Sequence, residues 1–391
     1  MHILEIPSFF PPYGGLFCLD QAKALRALGH EVRIVSNVQL GISIGLRDYL
    51  TLPYRRYEHE LDGITVLQSY QRGVPKVVRP NVDRWVNIVR SMFHDYVARY
   101  GKPDILHAHC AKWAGYAAML IGKEYGIPYV ITEHLPLMLL EGEFGPAPSM
   151  AWQIPLLKQA YNEAGMVLPV SEELVDDVAC YFGKDYRWQY LSNTIDTDFF
   201  HYQEREPLQG RPYRFCCLAD YYYRKGYDVL FEAYKLLQQK PVETELYIAG
   251  LFTDGSKCQT EIERMGLKHV YSYGRIEKEA VRGLLYKCDA LVLPSRSEVQ
   301  PLVLLEAMST GIPVVSTECV PRCQRLSGCS IVPIGDAESL ARAMLQVVEQ
   351  PATDGKLYAE QVVRLASPAV VGRQLEAIFQ SLVSSATYSE R

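Results

Sequence analysis

The chain has 391 residues, 48% of them hydrophobic and 22% charged, and 40 basic against 45 acidic side chains leave a net charge of −5. At roughly 100 to 200 residues per domain, two domains are predicted. This composition excludes collagen-like, disordered and disulfide-scaffold chains, and the mild acidity argues against a dedicated nucleic-acid binder. No run approaches the ~18 consecutive apolar residues of a membrane span. The opening MHILEIP carries neither a charged leader nor a long apolar stretch, so a cytoplasmic protein is expected. Ten cysteines, without a C-x-x-C pair, are read as mostly buried thiols of a reducing compartment.

In chain order, His2 to Ile6 forms a short apolar strand that ends at Pro7, followed by a Pro, Phe and Gly-rich loop. Leu19, Ala22, Leu25 and Leu28 then recur at helical spacing, with Gly29 at the predicted helix end. VRIVS, DILHAH and PYVITEH read as buried strands with helical segments between them, which predicts βαβ units on a parallel sheet. From Ser192 to Arg214 the pattern turns polar and turn-rich, as an interdomain linker would. A second alternating series follows. RFCCLAD, ELYIAGL, VYSYGRI, ALVLPS and IPVVSTE are predicted strands, separated by helical YDVLFEAYKLLQQ, KCQTEIERMGL, KEAVRGLLYKC and PLVLLEAMST. Asp336 and Ser339 introduce a capped amphipathic helix, and VVGRQLEAIFQSLV is helical in pattern. Two doubly wound α/β domains place ligands beyond the carboxyl ends of strands, in a cleft between the domains.

Three constellations stand at such positions. In PSRSEVQPLVLLEAMSTGIPVV, Pro301 is placed at the first position of a helix that Gly311 ends, with Glu298 in the preceding loop. The free backbone N–H groups around Val299 to Val303 suit an anionic phosphate. Glu306 lies inside this apolar helix, where a ribose would supply hydroxyl donors and a structural partner would supply a cation. In ADYYYRKGYDVL, Arg224 and Lys225 directly follow a strand and precede Gly226, where two cations can neutralise a diphosphate or stay solvated. In PPYGGLF, Gly14 and Gly15 let a backbone approach a ligand at a helix start, yet neither G-x-G-x-x-G nor the P-loop pattern is present. His107, His109, Cys110 and His134 lack the helical spacing of zinc enzymes, so no metal site is expected. His134 is better placed as a hydrogen-bonding group at the cleft.

Together PPYGG, PDILHAH, PYVITEH, LPVSEEL, LSNTIDTDFF, RKGYDVLFEAY, LYIAG, YGRI, CDALVLPSRSE and EAMSTGIPVV, with Glu298 and Glu306 in an E-x7-E pair, resemble the retaining nucleotide-sugar glycosyltransferases of the GT-B fold, family four or group 1. The resemblance implies two Rossmann-like domains facing across a deep cleft. Residues 1–195 would be the acceptor-binding domain, with a C-terminal helix of about 370–391 packed back on it, and 196–369 the nucleotide-sugar domain. It implies that Glu298 contacts the transferred sugar and supports developing positive charge, and that Glu306 binds the ribose. Arg224 and Lys225 would hold the diphosphate leaving group, with Val299, Gln300, Pro301 and Leu302 completing the phosphate cradle. Gly15 would approach the phosphate or sugar, His134 would sit beside the donor sugar, and Asn193, Arg275 and Ile276 would join the donor site. Three departures stand out: Leu218-Ala219 replaces the family's Gly-Arg pair, Gln300 and Pro301 replace aromatic or Gly residues, and STECVPRCQRLSGC replaces a Gly-Gly loop.

The family retains anomeric configuration without a metal, and this sequence shows no convincing D-x-D and no carboxylate nucleophile. A front-face transfer is therefore expected, from a UDP- or GDP-linked donor to a glycan or lipid-linked acceptor in cell-surface polysaccharide or lipopolysaccharide biosynthesis. Seven cations between residues 71 and 102 against Asp83 and Asp95 suggest peripheral contact with a membrane or anionic carrier, or a solvated helix. LPLMLL, residues 135–140, and the following EGEFGPAPSMAW read as an acceptor loop or as core. A non-hydrolysing nucleotide-sugar epimerase and a non-catalytic nucleotide-sugar-binding protein share the expected architecture; product analysis separates them.

Overall fold

Buried apolar strand runs alternating with one-sided apolar helices produce two separate sheets. The computed structural model describes the chain except for residues 12–13, 42–45, 52–55, 136–139, 141–150, 206–207, 209, 352–353 and 390–391. Most of the 135–152 stretch read as acceptor loop or core lies outside the described residues, as do Pro12 and Tyr13 of PPYGG. The chain divides into an N-terminal unit, Met1–Thr194 with Pro368–Arg391, and a C-terminal unit, Ile195–Ser367.

The N-terminal unit holds β1 (His2–Pro7), β2 (Glu31–Leu40), β3 (Tyr57–Leu61), β4 (Ile64–Arg72), β5 (Ile105–His109), β6 (Tyr129–Glu133) and β7 (Met166–Pro169) in the order β3-β4-β2-β1-β5-β6-β7. Every neighbouring pair is parallel except the β3–β4 hairpin. That hairpin turns through Asp62 and Gly63, both at positive φ (50° and 76°), as a two-residue Asp-Gly turn requires. Helix Leu16–Ala27 buries Cys18, Leu19, Ala22 and Leu25 beneath the last helix, Pro368–Ser389, whose Val371, Leu375 and Phe379 join the same core. His30 Nε2 lies 2.9 Å from Glu376 Oε1 across this contact.

The C-terminal unit holds β8 (Tyr213–Leu218), β9 (Thr244–Ala249), β10 (Val270–Ser272), β11 (Ala290–Leu293), β12 (Val314–Thr317) and β13 (Cys329–Val332), all parallel, in the order β10-β9-β8-β11-β12-β13. Apolar clusters cover both faces, one around Phe215, Phe231 and Ile248, the other around Cys216, Leu291 and Met308. In each unit the chain starts in the middle of the sheet, winds one way, then reverses. The Rossmann-like switch points therefore fall between β1 and β5 and between β8 and β11.

Several local expectations are refined. The stretch read as an interdomain linker is tied to the C-terminal unit: Phe200 is fully buried, and the Arg205 guanidinium donates to the carbonyls of Leu285 at 2.9 Å and Cys288 at 2.5 Å, closing the end of helix Lys278–Lys287. Cations suit the carbonyl end of a helix. Pro301 sits one residue before the helix Leu302–Ser309, as its N-cap, and Gly311 follows the helix at φ 90°. Asp336 caps helix Ala337–Glu349 through the Ser339 amide at 2.9 Å. The basic helix Val78–Tyr100 is partly neutralised, Arg90 by Glu124 at 2.7 Å and Arg99 by Glu58 at 2.5 Å. All ten cysteines are free thiols and six are buried. No helix among the described residues is long and apolar enough to cross a membrane.

Candidate active site

In the C-terminal unit the first turn after β8 and the loop after β11 meet at the switch point. Lys225 ends a single 3-10 turn, Tyr223–Lys225, and its Nζ donates to Glu298 Oε1 at 2.5 Å. Ser295 Oγ donates to the same oxygen at 2.6 Å, and Arg224 Nη1 stands 4.0 Å from Oε2. The Glu298 side chain is only 7% exposed, whereas Arg224 is 43% exposed, so Arg224 keeps a solvent-facing charge beside the pair. A carboxylate so covered is sustained by its cation and hydroxyl donor.

Two features fix this geometry. Gly226 has φ 71°, and a Cβ there would stand 2.0 Å from the Pro294 carbonyl oxygen, so only glycine lets the two loops touch. Arg296 forms a bidentate pair with Asp228 at 2.8 and 2.7 Å, donates to the Tyr223 carbonyl at 2.8 Å and lies 4.1 Å over the Tyr223 ring. It clamps the Lys225 turn onto the Glu298 loop. Sequence reasoning passed over Arg296; its only signal was its place two residues before Glu298 in SRSE.

Val299 and Gln300 are half-buried in the approach to helix Leu302–Ser309, whose first turn has no side-chain cap behind Pro301. Its leading amides therefore present a positive end. Glu306 is half-buried, one turn along from half-buried Leu302 and Val303, rather than enclosed on every side as its apolar neighbours suggested. The helix buries Leu304, Leu305, Ala307 and Met308 and leaves the 302–303–306 edge more open. Arg275 is exposed and Ile276 half-buried after β10, two strands away from β8, following Gly274 at φ 65°.

In the N-terminal unit, Gly15 (φ 81°) precedes helix Leu16–Ala27, and a Cβ there would fall 1.9 Å from the Phe9 carbonyl oxygen. His134 follows β6 and stacks on Phe17, with ring centroids 3.8 Å apart. The buried Glu133 carboxylate accepts from the amides of Ala111, His134 and Leu135, each at 2.9 Å, and from the Tyr161 hydroxyl at 2.8 Å. Burial pushes its pKa up against these four donors. Glu133 thereby joins the ends of β5 and β6.

Behind His134 runs a line of buried groups. His134 Nε2 lies 3.3 Å from His109 Nδ1, and His109 Nε2 lies 2.8 Å from Glu5 Oε2. Burial raises the Glu5 pKa, but His107 and His109 outweigh it and hold the carboxyl at about 2, so it only accepts. Burial with His107 lowers His109 to about 4, and burial with His109 and His107 keeps His134 well below its usual value. Both rings are therefore neutral. His109 must carry its proton on Nε2, its bare Nδ1 must accept from His134 Nε2, and His134 is left with a bare Nδ1. That Nδ1 is buried with no hydrogen-bond partner among the described residues. His107 and His109 do share one face of β5, and their ring nitrogens with Glu5 lie within 4.8 Å of one another. Both histidines approach the same Glu5 oxygen, Oε2, at 2.8 Å, His109 Nε2 through a hydrogen bond. Glu5 and Glu133 were missed because each stands inside an apolar strand run, where a carboxylate carries no periodic signature.

Asn193 is buried just before the end of the N-terminal unit, where Ser192 Oγ donates to its carbonyl at 2.9 Å. The residues assigned to the donor thus fall in two groups: Gly15, His134 and Asn193 in one unit, and Arg224, Lys225, Arg275, Ile276, Glu298 to Leu302 and Glu306 in the other.

The family comparison is direct. The Glycosyltransferase Family 4 model matches residues 14–199, and the Glycosyl transferases group 1 model matches residues 212–350. The putative colanic acid biosynthesis glycosyltransferase WcaL of Escherichia coli (strain K12) is 30% identical over 316 residues, 76% of this chain and 75% of that one. The chain belongs to the group 1, family 4 glycosyltransferases. This glycosyltransferase is also 28% identical over 345 residues to the putative teichuronic acid biosynthesis glycosyltransferase TuaC of Bacillus subtilis (strain 168), covering 81% of each chain. Its fold is that of Anabaena HepE, solved in complex with UDP-glucose: TM-score 0.70 at 17% identity, covering 98% of this chain and 100% of that one. The fold is thus GT-B, with two Rossmann-like parallel-sheet units. In the glycosyltransferase, the Ala219 carbonyl accepts from the Tyr227 hydroxyl at 2.5 Å. Among the described residues, Lys225 and Arg224 are the cations within 4.0 Å of the Glu298 carboxylate.

Proposed function

We propose that this glycosyltransferase moves a hexose from a UDP- or GDP-linked donor to a hydroxyl of a glycan or lipid-linked acceptor, with retention of anomeric configuration and without a metal. The observation that carries this reading is the Lys225–Glu298 pair at the β8–β11 switch point, beside the uncapped start of helix Leu302–Ser309. Lys225, Arg224 and the leading amides offer positive charge to a diphosphate, the electrostatic task a divalent ion performs elsewhere. Glu298 offers negative charge to a sugar that becomes oxocarbenium-like as its bond to phosphate lengthens. Glu306 is assigned to the ribose hydroxyls, and Gly15, His134 and Asn193 to the phosphate and sugar.

In the step itself, the anomeric carbon–oxygen bond to the diphosphate breaks and its electron pair leaves with the phosphate. The acceptor oxygen bonds to the same face of the sugar, and its proton passes to the departing phosphate oxygen. The UDP-glucose complex of HepE makes a UDP-linked donor the first to try, and the names of TuaC and WcaL make cell-surface polysaccharide the product to look for. A cytoplasmic enzyme, peripheral at the membrane where its acceptor is lipid-linked, goes with this reading. Proton NMR of the product tests the stereochemistry: an α-linked donor should yield an α-linked product, and a β-linked one would overturn the retaining step.

A further inference from the structure

The Glu298 loop leaves β11 through Pro294, which has no N–H to give to a neighbouring strand. β12 runs beside it, with Leu293 in register with Ser316. Beyond that pair the strands are joined by side chains from the start of STECVPRCQRLSGC. Ser316 Oγ donates to the Leu293 carbonyl at 2.6 Å, Thr317 Oγ1 donates to the Ser295 carbonyl at 2.6 Å, and Cys319 Sγ lies 3.2 Å from that same Ser295 carbonyl. Ser295, Ser316 and Thr317 are buried. Cys319 is half-buried, and burial pushes its pKa up to about 11, so it remains a neutral S–H donor.

These contacts converge on one hydroxyl. Thr317 and Cys319 hold the Ser295 carbonyl from the β12 side, and on the other side the Arg296 amide donates to the Arg224 carbonyl at 2.7 Å. Between these anchors the Ser295 hydroxyl donates to Glu298 Oε1 at 2.6 Å, the oxygen that Lys225 also takes. A hydroxyl has a single proton to give, so Ser295 gives it here and one Glu298 oxygen carries two donors. The other oxygen, Oε2, stands 4.0 Å from Arg224 and takes no hydrogen bond among the described residues. With one oxygen fastened in this way, a side chain only 7% exposed has its remaining oxygen aimed in a single direction.

We propose that Ser295, Thr317 and Cys319 are positioning residues for the transfer: the two β12-side groups fix the Ser295 backbone, and the Ser295 hydroxyl in turn fixes Glu298 with Oε2 toward the sugar. None of the three needs to touch the donor. Lys225 already supplies the cation that sustains the carboxylate, so what the serine adds is direction. Bonds that hold a charged group in place before reaction speed the step without changing ground-state affinity, and their loss therefore appears in kcat. The inference rests on the transfer reading above, and its test separates the two.

Release of UDP from UDP-glucose, or of GDP from GDP-mannose, into water reads the step without an acceptor. Ser295→Ala should lower kcat about tenfold or more while nucleotide affinity changes less than about threefold. Thr317→Val combined with Cys319→Ala should act in the same direction, and Thr317→Ser, which keeps a hydroxyl, should match the parent. Because all act through one carboxylate, adding Ser295→Ala to Glu298→Gln should lower kcat less than about twofold further. A merely structural role would lower both backgrounds alike. A crystal structure of the Thr317→Val, Cys319→Ala protein needs no turnover: Ser295 Oγ should stand more than about 3.5 Å from Glu298 Oε1. Ser295→Ala at the parent rate, a full further loss on Glu298→Gln, or an unmoved Ser295–Glu298 contact in that crystal would overturn the proposal. Glu298→Gln at the parent rate, or no release from either donor by the parent, would count instead against the transfer reading, and the crystal then decides the positioning by itself.

Discussion

Lys225 Nζ and Glu298 Oε1 are 2.5 Å apart although 73 positions separate them in the chain, because β8 and β11 are neighbours and both loops leave at the switch point. In the proposed reading, one side chain of the pair serves phosphate and the other serves sugar. Glu298→Gln should lower kcat about 100-fold or more while changing nucleotide affinity less than about threefold, as loss of a charge aimed at the transition state does. Lys225→Met should weaken nucleotide binding and turnover together. Steady-state kinetics with nucleotide titrations measure both, and equal losses of kcat and affinity in Glu298→Gln would contradict its role.

The Glu5–His109–His134 line makes a prediction about one proton. Nitrogen-15 spectra of histidine-labelled protein at pH 7 should show His134 neutral, protonated on Nε2 and bare on Nδ1. His109→Phe keeps a ring in place but removes the acceptor, so His134 should then populate both tautomers. A His134 protonated on Nδ1 in the unaltered protein would refute the relay.

Gly226→Ala tests the loop contact at a single atom. The added Cβ meets the Pro294 carbonyl oxygen at 2.0 Å in a left-handed backbone, so a stability loss of about 1–3 kcal/mol is expected. The Lys225 turn must shift with it. Urea unfolding together with nucleotide affinity checks this, and an alanine variant that matches the parent in both would show that the loops have room.

Acid should loosen the N-terminal unit in a defined window. His109 titrates near 4 in the folded protein against an ordinary 6.5, and His134 also lies well below that value. The unfolded chain therefore binds more protons between these values, so stability is complete above about 6.5 and falls as pH drops toward 4. Glu5, held at about 2 against an ordinary 4.5, extends the loss below that. The urea midpoint should fall from pH 7 to pH 5, with about two protons taken up on unfolding. A flat midpoint across that range would contradict the buried neutral rings.

Much of this was legible in the chain. β5, β6, β8, β9 and β11 announced themselves as short apolar runs, and Lys225, Glu298 and Gly15 were singled out because each stands just beyond such a run. The β3–β4 hairpin was passed over although Asp62-Gly63 carries its turn signal, since β3 alternates with Glu58 and Glu60 and buries neither face fully, and β4 is interrupted by polar Gln68, Ser69 and Gln71. Glu5, Glu133 and Arg296 could not be seen: their partners, His109, Tyr161 and Asp228, are brought to them by folding, and spacing along the chain does not encode such contacts. Glu306 was read as enclosed because its sequence neighbours are apolar, yet helical geometry places it on the more open edge.

The central claim is that a nucleoside-diphosphate sugar binds the C-terminal unit through Lys225, Arg224 and helix amides, without a metal. Calorimetric titration with UDP, GDP and ADP in EDTA tests it most directly. One nucleotide should bind in EDTA, with its affinity unchanged on adding magnesium and at least about tenfold weaker in Lys225→Met. Binding that requires the divalent ion, or that survives Lys225→Met undiminished, would contradict the account.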